Sequence, residues 1–452
     1  GNEVVTYMTN TEGKRRSRKD VYNVLGLLMS TKDYGGNEIL YDYYSDGLIK
    51  SVYVANNPNT RITVTYDNCR NRKSLHDPNY GTTMYEYDAL GNIKKIVNPK
   101  DAVVEFKYDN IGRMVSKIEK DVVLKDELTT TWIYDEQKGK QGLLKNIITS
   151  GGYQISYEYD DELRLVSGTE LIDGKQYKTL YSYDDANRIA TKTYPSGLVV
   201  SKVYSNSGYE KEIYDVEDNR LLWRSGKTNA NGDIEEYHVG NGLKTKMLYN
   251  PKTSLVEKIY TFNNDAEFQN LNYVYDDFGN MLSRGKTTSV DVYEEFEYDD
   301  YDRLIGIRLN GKETGRMVYD VLGNITEKEE NGIMVLYGTQ YERTRPNAIS
   351  KTKTNDKQLQ AKSNRRFSYS SFDDLVSVAD DSDKLTIDYG HNHSRIRMVT
   401  SVDGRMKTKI YAGDCEIVES DGKTAMLTSQ SPHHAGPKHC RWRNRGWRCR
   451  HR

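Results

Sequence analysis

The side chains of this sequence that could perform acid–base chemistry or bind calcium are pairs of adjacent aspartates. Examples are Asp160-Asp161, Asp184-Asp185 and Asp299-Asp300. Calcium takes carboxylate oxygens, and two carboxylates with separated pKa values can act as an acid and a base. Each pair, however, directly follows a tyrosine at the same place in a repeated phrase. We therefore predict that the first aspartate of each pair caps a turn.

A second candidate for chemistry is the pair His391 and His393 with Asp388 nearby, since imidazole and carboxylate groups bind metals. The two histidines alternate across Asn392, and we interpret them as a surface pair. The P-loop, zinc-protease and nucleophile-elbow phrases do not occur in the sequence. We predict no catalytic, cofactor-binding or metal-binding residues, and a protein that is not an enzyme.

The aspartates belong to a phrase of Tyr-Asp, two variable residues, Gly, Asn or Arg, and an aliphatic residue. This phrase recurs every 21 to 26 residues, and 37 of the 452 residues are tyrosine. A phrase that returns at such a period indicates a repeat architecture. Looser copies begin at Tyr66, Tyr134, Tyr159, Tyr183 and Tyr298. We assign to the structural repeat motif Tyr87, Asp88, Gly91, Tyr108, Asp109, Gly112, Tyr159, Asp160, Tyr183, Asp184, Tyr275, Asp276, Gly279, Tyr298, Asp299, Tyr319, Asp320 and Gly323.

The residues before each Tyr-Asp predict a β-strand. Over residues 153–159, apolar side chains alternate with polar ones, a period of two that places the tyrosines on one face. The aspartate then offers an acceptor that opens a turn. The glycine three residues later can adopt the positive φ that other residues resist. The phrase is therefore predicted to be a strand that runs into a tight turn.

A repeat of about 21 residues accommodates two strands of about 6–8 residues and two turns, which predicts a β-hairpin. Hairpins stacked edge to edge would align their tyrosines in cross-strand ladders, where each aromatic pair adds about 0.2–1 kcal/mol. Only seven residues are phenylalanine, which favours a thin sheet with a wet face. The predicted fold is all-β, an array of β-hairpin repeats.

The composition excludes several classes of partner. Hydrophobic residues make up 36% and charged residues 29%, and the net charge is −1. The chain therefore offers no global field for nucleic acid. No stretch approaches 18 apolar residues, so we expect no membrane span. Four cysteines do not make a disulfide framework.

We divide the sequence into three parts: an imperfect N-terminal repeat over 1–35, the repeat array over 36–428, and a basic tail over 429–452. The basic run at residues 14–19 is interpreted as a solvated turn. The chain starts without Met or a signal-peptide pattern and enters the repeat phrase almost at once. We therefore expect a fragment of a longer protein.

The tail changes composition abruptly. It holds four of the eight histidines, two of the four cysteines, seven Lys or Arg residues and no acid. These residue types suggest a metal or nucleic-acid patch, but Cys440 and Cys449 do not have the spacing of a zinc site. A variable toxin tip is a further interpretation, although so short a segment cannot form a catalytic domain. We predict an unrelated, disordered tail.

Five longer segments accompany the repeated phrase: Tyr194-Pro195-Ser196-Gly197, Gly240-Asn241-Gly242-Leu243, Arg345-Pro346-Asn347-Ala348-Ile349, Ile387-Asp388-Tyr389-Gly390 with Arg395, and Tyr411-Ala412-Gly413-Asp414-Cys415-Glu416. Together with the phrase, they resemble the Rhs/YD-repeat family, with Bacteroidetes-type members closest in style. The resemblance covers about residues 36–428 and implies a long β-sheet that spirals into a partial hollow shell or barrel. In polymorphic bacterial toxins and insecticidal toxin complexes such shells enclose a C-terminal toxic polypeptide, and in animal teneurins a similar barrel serves adhesion.

The sequence departs from the family after the repeats. Complete members carry a core with an Asp-His-Leu-Gly-Ser type phrase and often an Asp-Pro-x-Gly-Leu type segment linked to aspartyl self-cleavage. Neither phrase occurs here, and the one Asp-Pro, Asp77-Pro78, lies early in the array. No autoprotease residue is therefore assigned.

The resemblance implies a non-catalytic structural protein, part of a secreted or cell-surface shell that encapsulates a toxic C-terminal polypeptide. Its expected partners are that passenger or the remaining Rhs core, with no cofactor. The alternative is a cell-surface carbohydrate-binding or adhesion module, in which a tyrosine-rich sheet stacks on glycans.

Overall fold

Every secondary-structure element of the described residues is a β-strand. No helix long and apolar enough to cross a membrane occurs in this part of the chain. The computed structural model describes residues 2–9, 15–264, 266–287, 291–336, 353–354, 366–420, 422–428, 440–443 and 446–449.

The chain divides into two compact units, each built from two stretches of sequence. Unit 1 comprises Gly1–Pro99 and Leu221–Ala361, and unit 2 comprises Lys100–Arg220 and Lys362–Arg452. The predicted boundaries after residues 35 and 428 stay predictions.

The first stretch of unit 1 is an antiparallel meander in which each strand pairs with the next one along the chain. Its strands are β1 (Asn2–Thr9), β2 (Arg15–Tyr22), β3 (Leu28–Lys32), β4 (Glu38–Tyr43), β5 (Ile49–Val54), β6 (Asn57–Tyr66), β7 (Arg72–Asp77), β8 (Gly81–Tyr87) and β9 (Ile93–Val97).

The first stretch of unit 2 continues the same pattern of consecutive antiparallel pairs. Its strands are β10 (Val103–Tyr108), β11 (Met114–Asp121), β12 (Asp126–Tyr134), β13 (Leu144–Thr149), β14 (Gln154–Tyr159), β15 (Leu165–Ile172), β16 (Lys175–Tyr183), β17 (Ile189–Thr193), β18 (Val199–Tyr204) and β19 (Glu210–Asp215).

The second stretch of unit 1 is again a meander. Its strands are β20 (Arg220–Ser225), β21 (Glu236–Val239), β22 (Leu243–Tyr249), β23 (Val256–Asn263), β24 (Ala266–Tyr275), β25 (Met281–Thr287), β26 (Val292–Tyr298), β27 (Leu304–Leu309), β28 (Lys312–Tyr319), β29 (Ile325–Glu330), β30 (Ile333–Leu336) and β31 (Lys353–Thr354).

The second stretch of unit 2 forms a seven-stranded antiparallel sheet. Its strands are β32 (Arg366–Tyr369), β33 (Leu375–Ala379), β34 (Lys384–Tyr389), β35 (Arg395–Val402), β36 (Arg405–Ala412), β37 (Cys415–Ser420) and β38 (Lys423–Thr428).

The predicted all-β array of hairpins is confirmed by these consecutive antiparallel pairs. Two short strands in the tail, β39 (Cys440–Arg443) and β40 (Gly446–Cys449), also pair with each other. The rest of residues 429–452 lies outside the described residues, as do residues 345–349, so the predictions made there stay predictions.

A one-residue shift of register precedes the tyrosine of each assigned phrase. Tyr87 lies opposite Ile93, whereas Glu86 lies opposite Lys95, so one residue is left over. Such a bulge increases the local twist of the two strands. This bulge was not predicted from the sequence, although a left-handed residue after a tight turn is typical of a bulged hairpin. The same shift occurs at Tyr108, Tyr159, Tyr183, Tyr275, Tyr298 and Tyr319.

The buried apolar side chains are unevenly divided between the units. Among the described residues, all but Trp223 and Met317 belong to unit 2. The centre of that core is the β36–β37 hairpin, where Ile410 is 2% exposed and Ile417 is 1% exposed. Unit 2 therefore has a compact apolar core, whereas unit 1 depends more on half-buried tyrosines and polar contacts.

The basic run is not the solvated turn that the sequence analysis predicts. Of residues 14–19, Lys14 lies outside the described residues, and the other five belong to strand β2. Arg18 pairs with Asp20 at 2.9 Å, and Lys19 pairs with Glu3 at 2.8 Å. These ion pairs balance the positive charges of Arg18 and Lys19, so both residues can lie in a strand.

Arg16 connects β2 to the later strands of unit 1. Its guanidinium carbon lies 3.6 Å from the centre of the Phe278 ring and 5.1 Å from that of Tyr34, and its Nη1 atom binds Asp302. Tyr34 in turn stacks on Tyr301 with ring centres 5.5 Å apart. Two turns of the later strands thus hold the early strands through one side chain, which is 12% exposed.

We expect Arg16→Ala to lower the free energy of unfolding of unit 1 by about 1.5–3 kcal/mol, since it removes a charged hydrogen bond and the ring contacts. Urea unfolding followed by circular dichroism measures the change. Lys19→Ala is the matched control from the same strand, because the side chains of Lys19 and its partner Glu3 are 43% and 56% exposed and their ion pair contributes at most about 1 kcal/mol. Equal effects of the two substitutions would contradict the role of Arg16.

Candidate functional site

The turn after each Tyr-Asp is built around the aspartate carboxylate. In the copy at Tyr87, Asp88 Oδ1 accepts hydrogen bonds from the backbone N–H groups of Leu90 and Asn92, each at 2.9 Å. The Gly91 N–H donates to the Asp88 carbonyl at 3.1 Å. One side chain thus satisfies two amides that the turn leaves without strand partners.

The bond to the amide four residues on recurs in every assigned copy. The carboxylates that accept it are Asp88, Asp109, Asp160, Asp184, Asp276, Asp299 and Asp320. The side-chain bond from Arg188, followed by that residue's backbone amide, holds the pKa of Asp184 below its usual range. In the first pair the second aspartate, Asp161, has a fully exposed side chain whose Oδ1 lies 4.0 Å from Lys140 Nζ. The first aspartate of each pair caps its turn, as the sequence predicts.

The choice of Asn or Arg after the glycine has a physical explanation in the same turn. Asn92 Nδ2 donates to Asp88 Oδ2 at 3.0 Å, and Arg113 Nε donates to Asp109 Oδ2 at 2.7 Å. Both side chains place an N–H group at the same position, so either one can donate a hydrogen bond to the second carboxylate oxygen, Oδ2.

Where the residue is arginine, it also reaches the next repeat. Arg113 lies over the Tyr134 ring with its guanidinium carbon 4.2 Å from the ring centre. Contacts of this kind are cation–π interactions, each worth about 0.5–2 kcal/mol. They recur for Arg164 over Tyr183, Arg188 over Tyr204 and Arg303 over Tyr319.

The phrase tyrosine makes a second link between neighbouring repeats. The Tyr183 hydroxyl donates to the carbonyl of Leu165 at 2.7 Å, the first strand residue after the preceding turn. Burial raises the pKa of Tyr183, which keeps the donor proton in place. The same bond is made by Tyr43, Tyr87, Tyr134, Tyr159, Tyr204, Tyr298, Tyr319 and Tyr389.

The glycine position lies in the left-handed region even where glycine is replaced. Gly91 has φ of 84° and Gly112 of 82°. At the equivalent positions of looser copies, Leu163 has φ of 67°, Asn187 of 60° and Asp302 of 59°. A β-carbon in this region costs about 1–2 kcal/mol, so the turn imposes its conformation on residues that resist it.

Two turns of unit 2 depart from the phrase because they pack against other strands. In one, Ser371 is fully buried, and its N–H and Oγ–H groups donate to the Asp121 carboxylate at 2.9 and 2.7 Å. In the other, Gly390 replaces the aspartate. A β-carbon there would lie 3.2 Å from Cε1 of Tyr153, too close for an aspartate to fit without a shift.

Of the two histidines of the second turn, His391 does not lie at the surface as we expected, whereas the side chain of His393 is 40% exposed. His391 lies between Trp132 and Tyr153, with ring centres 6.2 Å from each. His393 contacts two carboxylates instead of solvent alone. Alternation along a strand could not show this, because the partners come from distant strands. In the part of the chain that the structure describes, no group of three or more His, Cys, Asp or Glu side chains is placed to hold a metal ion.

Comparison with known proteins identifies the fold of this chain through solved structures alone. No protein-family model and no curated protein matches the sequence. Among solved structures, the chain matches a Photorhabdus luminescens Tc holotoxin pore with a TM-score of 0.77 and 16% identity over 92% of its length. The chain has the fold of a toxin-complex Rhs-repeat protein. The match covers 25% of that pore chain.

Two TcdB2-TccC3 crystal structures show the same toxin-complex fold. The first has a TM-score of 0.76 and 15% sequence identity, and the match covers 94% of this chain and 28% of the TcdB2-TccC3 chain. The second, which lacks the hypervariable C-terminal region, has a TM-score of 0.76 and 16% sequence identity, and the match covers 92% of this chain and 25% of the other. The chain thus spans about a quarter of the toxin-complex chains. The resemblance to the Rhs/YD-repeat family is confirmed at the level of the fold.

We expect Leu163→Gly to raise the free energy of unfolding by about 0.5–1 kcal/mol, because it relieves a left-handed residue that is 48% exposed. Gly112→Ala should lower it by about 1 kcal/mol or more. Ile111→Gly is the control, since Ile111 is exposed in a neighbouring slot of the turn without positive φ. A stabilising Gly112→Ala would show that the turn assignment is wrong.

Removing the tyrosine hydroxyl tests the link between repeats. Tyr183→Phe keeps the ring and deletes the bond to Leu165, so we expect it to destabilise unit 2 by about 0.5–1.5 kcal/mol. Tyr209→Phe should change stability by less than about 0.5 kcal/mol, since the Tyr209 ring is 71% exposed. Thermal unfolding of both variants beside the parent chain gives the comparison, and an unaffected Tyr183→Phe would exclude the link.

Proposed function

We propose that this chain is a non-catalytic wall segment of a secreted or cell-surface Rhs-type shell, and that the shell encloses a toxic polypeptide. The observation that carries the proposal is the match of 92–96% of the chain to toxin-complex structures at TM-scores of 0.76–0.78. The proposed partners are a C-terminal passenger or the remaining Rhs core.

The side chains support a structural role. The assigned aspartates are engaged by turn amides, and the tyrosine hydroxyls of neighbouring strands are engaged by carbonyls. These bonds fix the repeated side chains within the sheet. The repeated residues therefore stabilise a sheet, as expected for a wall without an active site.

The repeat-to-repeat links also suit a wall. Each link joins one repeat to the next, so stability accumulates along the array as in other repeat proteins. Such an array can extend beyond the size of a single-core domain. A shell that has to surround another polypeptide needs this kind of extension.

The glycan-binding alternative finds less support. Stacking on a sugar requires an accessible ring face, and the phrase tyrosines lie half-buried, several of them beneath an arginine of the preceding repeat. Exposed tyrosine rings occur among the described residues, but none of them belongs to an assigned phrase: Tyr7, Tyr80, Tyr209, Tyr293 and Tyr369. We therefore do not propose glycans as partners.

Protection from protease tests the proposal. An unfolded reporter polypeptide fused after residue 428 should be cleaved at least about tenfold more slowly by proteinase K than the same reporter alone, because a surrounding wall excludes the protease. Gel analysis of a time course, with a reporter-specific antibody, gives both rates.

Two controls make the test specific. The same fusion in a urea concentration that unfolds the chain should lose the protection. The reporter fused to an unrelated soluble β-sheet protein of similar mass should have none. If the reporter in the native fusion were cleaved as fast as the reporter alone, this chain would not enclose a passenger.

A further inference from the structure

A cluster of four charged side chains lies where the seven-stranded sheet of unit 2 meets strand β11. His393 Nε2 lies 2.9 Å from Glu119 Oε1, and His393 Nδ1 lies 2.6 Å from Asp374 Oδ2. Lys117 Nζ lies 2.7 Å from Glu119 Oε2. Because both imidazole nitrogens face carboxylate oxygens, the ring is held in its doubly protonated, positively charged form.

The side chains that strand β11 contributes to the cluster are buried, whereas the histidine from the seven-stranded sheet is half-exposed. The side chains of Glu119 and Lys117 are 7% and 12% exposed, whereas that of His393 is 40% exposed. Lys117 Nζ also donates to the backbone carbonyl of His391 at 2.7 Å. Losing the charge on His393 would leave Glu119 buried with one cation instead of two, which is unfavourable at low dielectric.

The groups that face His393 come from two elements. Glu119 and Lys117 belong to β11, Asp374 belongs to the turn before β33, and the Phe372 ring in that turn lies 5.8 Å from the imidazole centre. Of these groups, His393 is the one whose ordinary pKa lies near neutrality.

Other polar contacts hold the same two parts of unit 2 together. Ser371 binds Asp121 as described above, and its Oγ accepts from the amides of Val122 and Val123 at 3.1 and 2.9 Å. The Gly413 amide donates to Glu170 Oε1 of strand β15 at 2.6 Å, a further bond between the seven-stranded sheet and the first stretch of unit 2. None of these contacts includes an imidazole.

A cavity of about 820 Å³ adjoins the cluster and gives water access to it. His393, Glu119 and Asp374 contribute to its lining, together with Tyr153 and Arg397. Water in this cavity can hydrate the carboxylates once the imidazolium is lost. The contact can therefore open locally without unfolding the apolar core around Ile410.

We propose that Glu119, His393 and Asp374 form a pH-sensitive latch, which holds the turns of β32–β35 against strand β11 at neutral pH and releases them in alkaline solution. The latch is a property of unit 2 alone. It goes beyond the proposed shell function and does not depend on the presence of a passenger.

The direction of the effect follows from the charges. The bond to Glu119 is the main cause that raises the pKa of His393 to about 9, with burial opposing it and the bond to Asp374 adding to it. This value lies above the ordinary histidine pKa of about 6.5. The stabilisation is therefore fully present below about pH 6.5 and is lost as the pH rises through about 9.

Amide hydrogen exchange of the full chain at pH 7 and pH 10 tests the latch. The amides of Val122, Val123 and Ser371 are the probes, because each donates across the contact. After correction for the intrinsic exchange rate, we expect their protection to fall about tenfold, a value that discounts the pKa shift for the partial exposure of His393. Unchanged protection would overturn the proposal.

The variant His393→Asn distinguishes the loss of the latch from a general loss of stability at high pH. Asparagine tolerates the φ of 59° at this position, so the turn should still form. We expect this variant to show low protection already at pH 7 and no further latch-specific loss at pH 10. Parent-like protection at pH 7 in the variant would also overturn the proposal.

Two more variants complete the design. Asp374→Asn removes one carboxylate from His393 and should move the loss of protection to lower pH, whereas an unchanged midpoint would contradict the role of Asp374. His76→Asn is the matched control. His76 contacts Thr82 within unit 1, at 2.9 Å, so its replacement should leave the pH profile of the probes unchanged.

Discussion

The structure depends on a left-handed turn that is completed by one carboxylate. Asp88 and its equivalents accept two backbone amides, and the residue three positions later has positive φ whether it is Gly91, Leu163 or Asp302. The turn reverses the strand within a few residues and shifts the register by one residue. A meander of short strands can therefore repeat for hundreds of residues without a thick apolar core.

The neighbours of the turn convert a local motif into an array. The tyrosine before the aspartate bonds to a carbonyl of the preceding repeat, and an arginine after the glycine stacks on the tyrosine of the following one. Each repeat thus supports its neighbours on both sides, as in quasi-one-dimensional repeat proteins. This nearest-neighbour support explains why aspartates that resemble catalytic pairs serve the sheet instead, and why a polar sequence remains folded.

Much of the fold could be predicted from sequence because it is local. The period of two before Tyr159, the acceptor at Asp160 and the glycine at Gly112 each act within one hairpin. The bulge before each tyrosine also lies within one hairpin. It was not predicted, because the register shift is visible only in how one strand pairs with the next. The contacts of Arg16 with Phe278, and of His393 with Glu119, join residues more than 250 positions apart, and no periodicity reports such pairings.

The most direct test of the account is residue-resolved amide exchange in Asp184→Ala. We predict about tenfold faster exchange at the amides of Ala186 and Arg188, because the substitution removes about 1.4 kcal/mol of hydrogen bonding. A smaller increase should reach the neighbouring strand at Tyr204, whose ring lies under Arg188, while the turn at Asp88 stays unchanged. Unchanged exchange at Ala186 and Arg188, or an equal increase in every repeat, would contradict it.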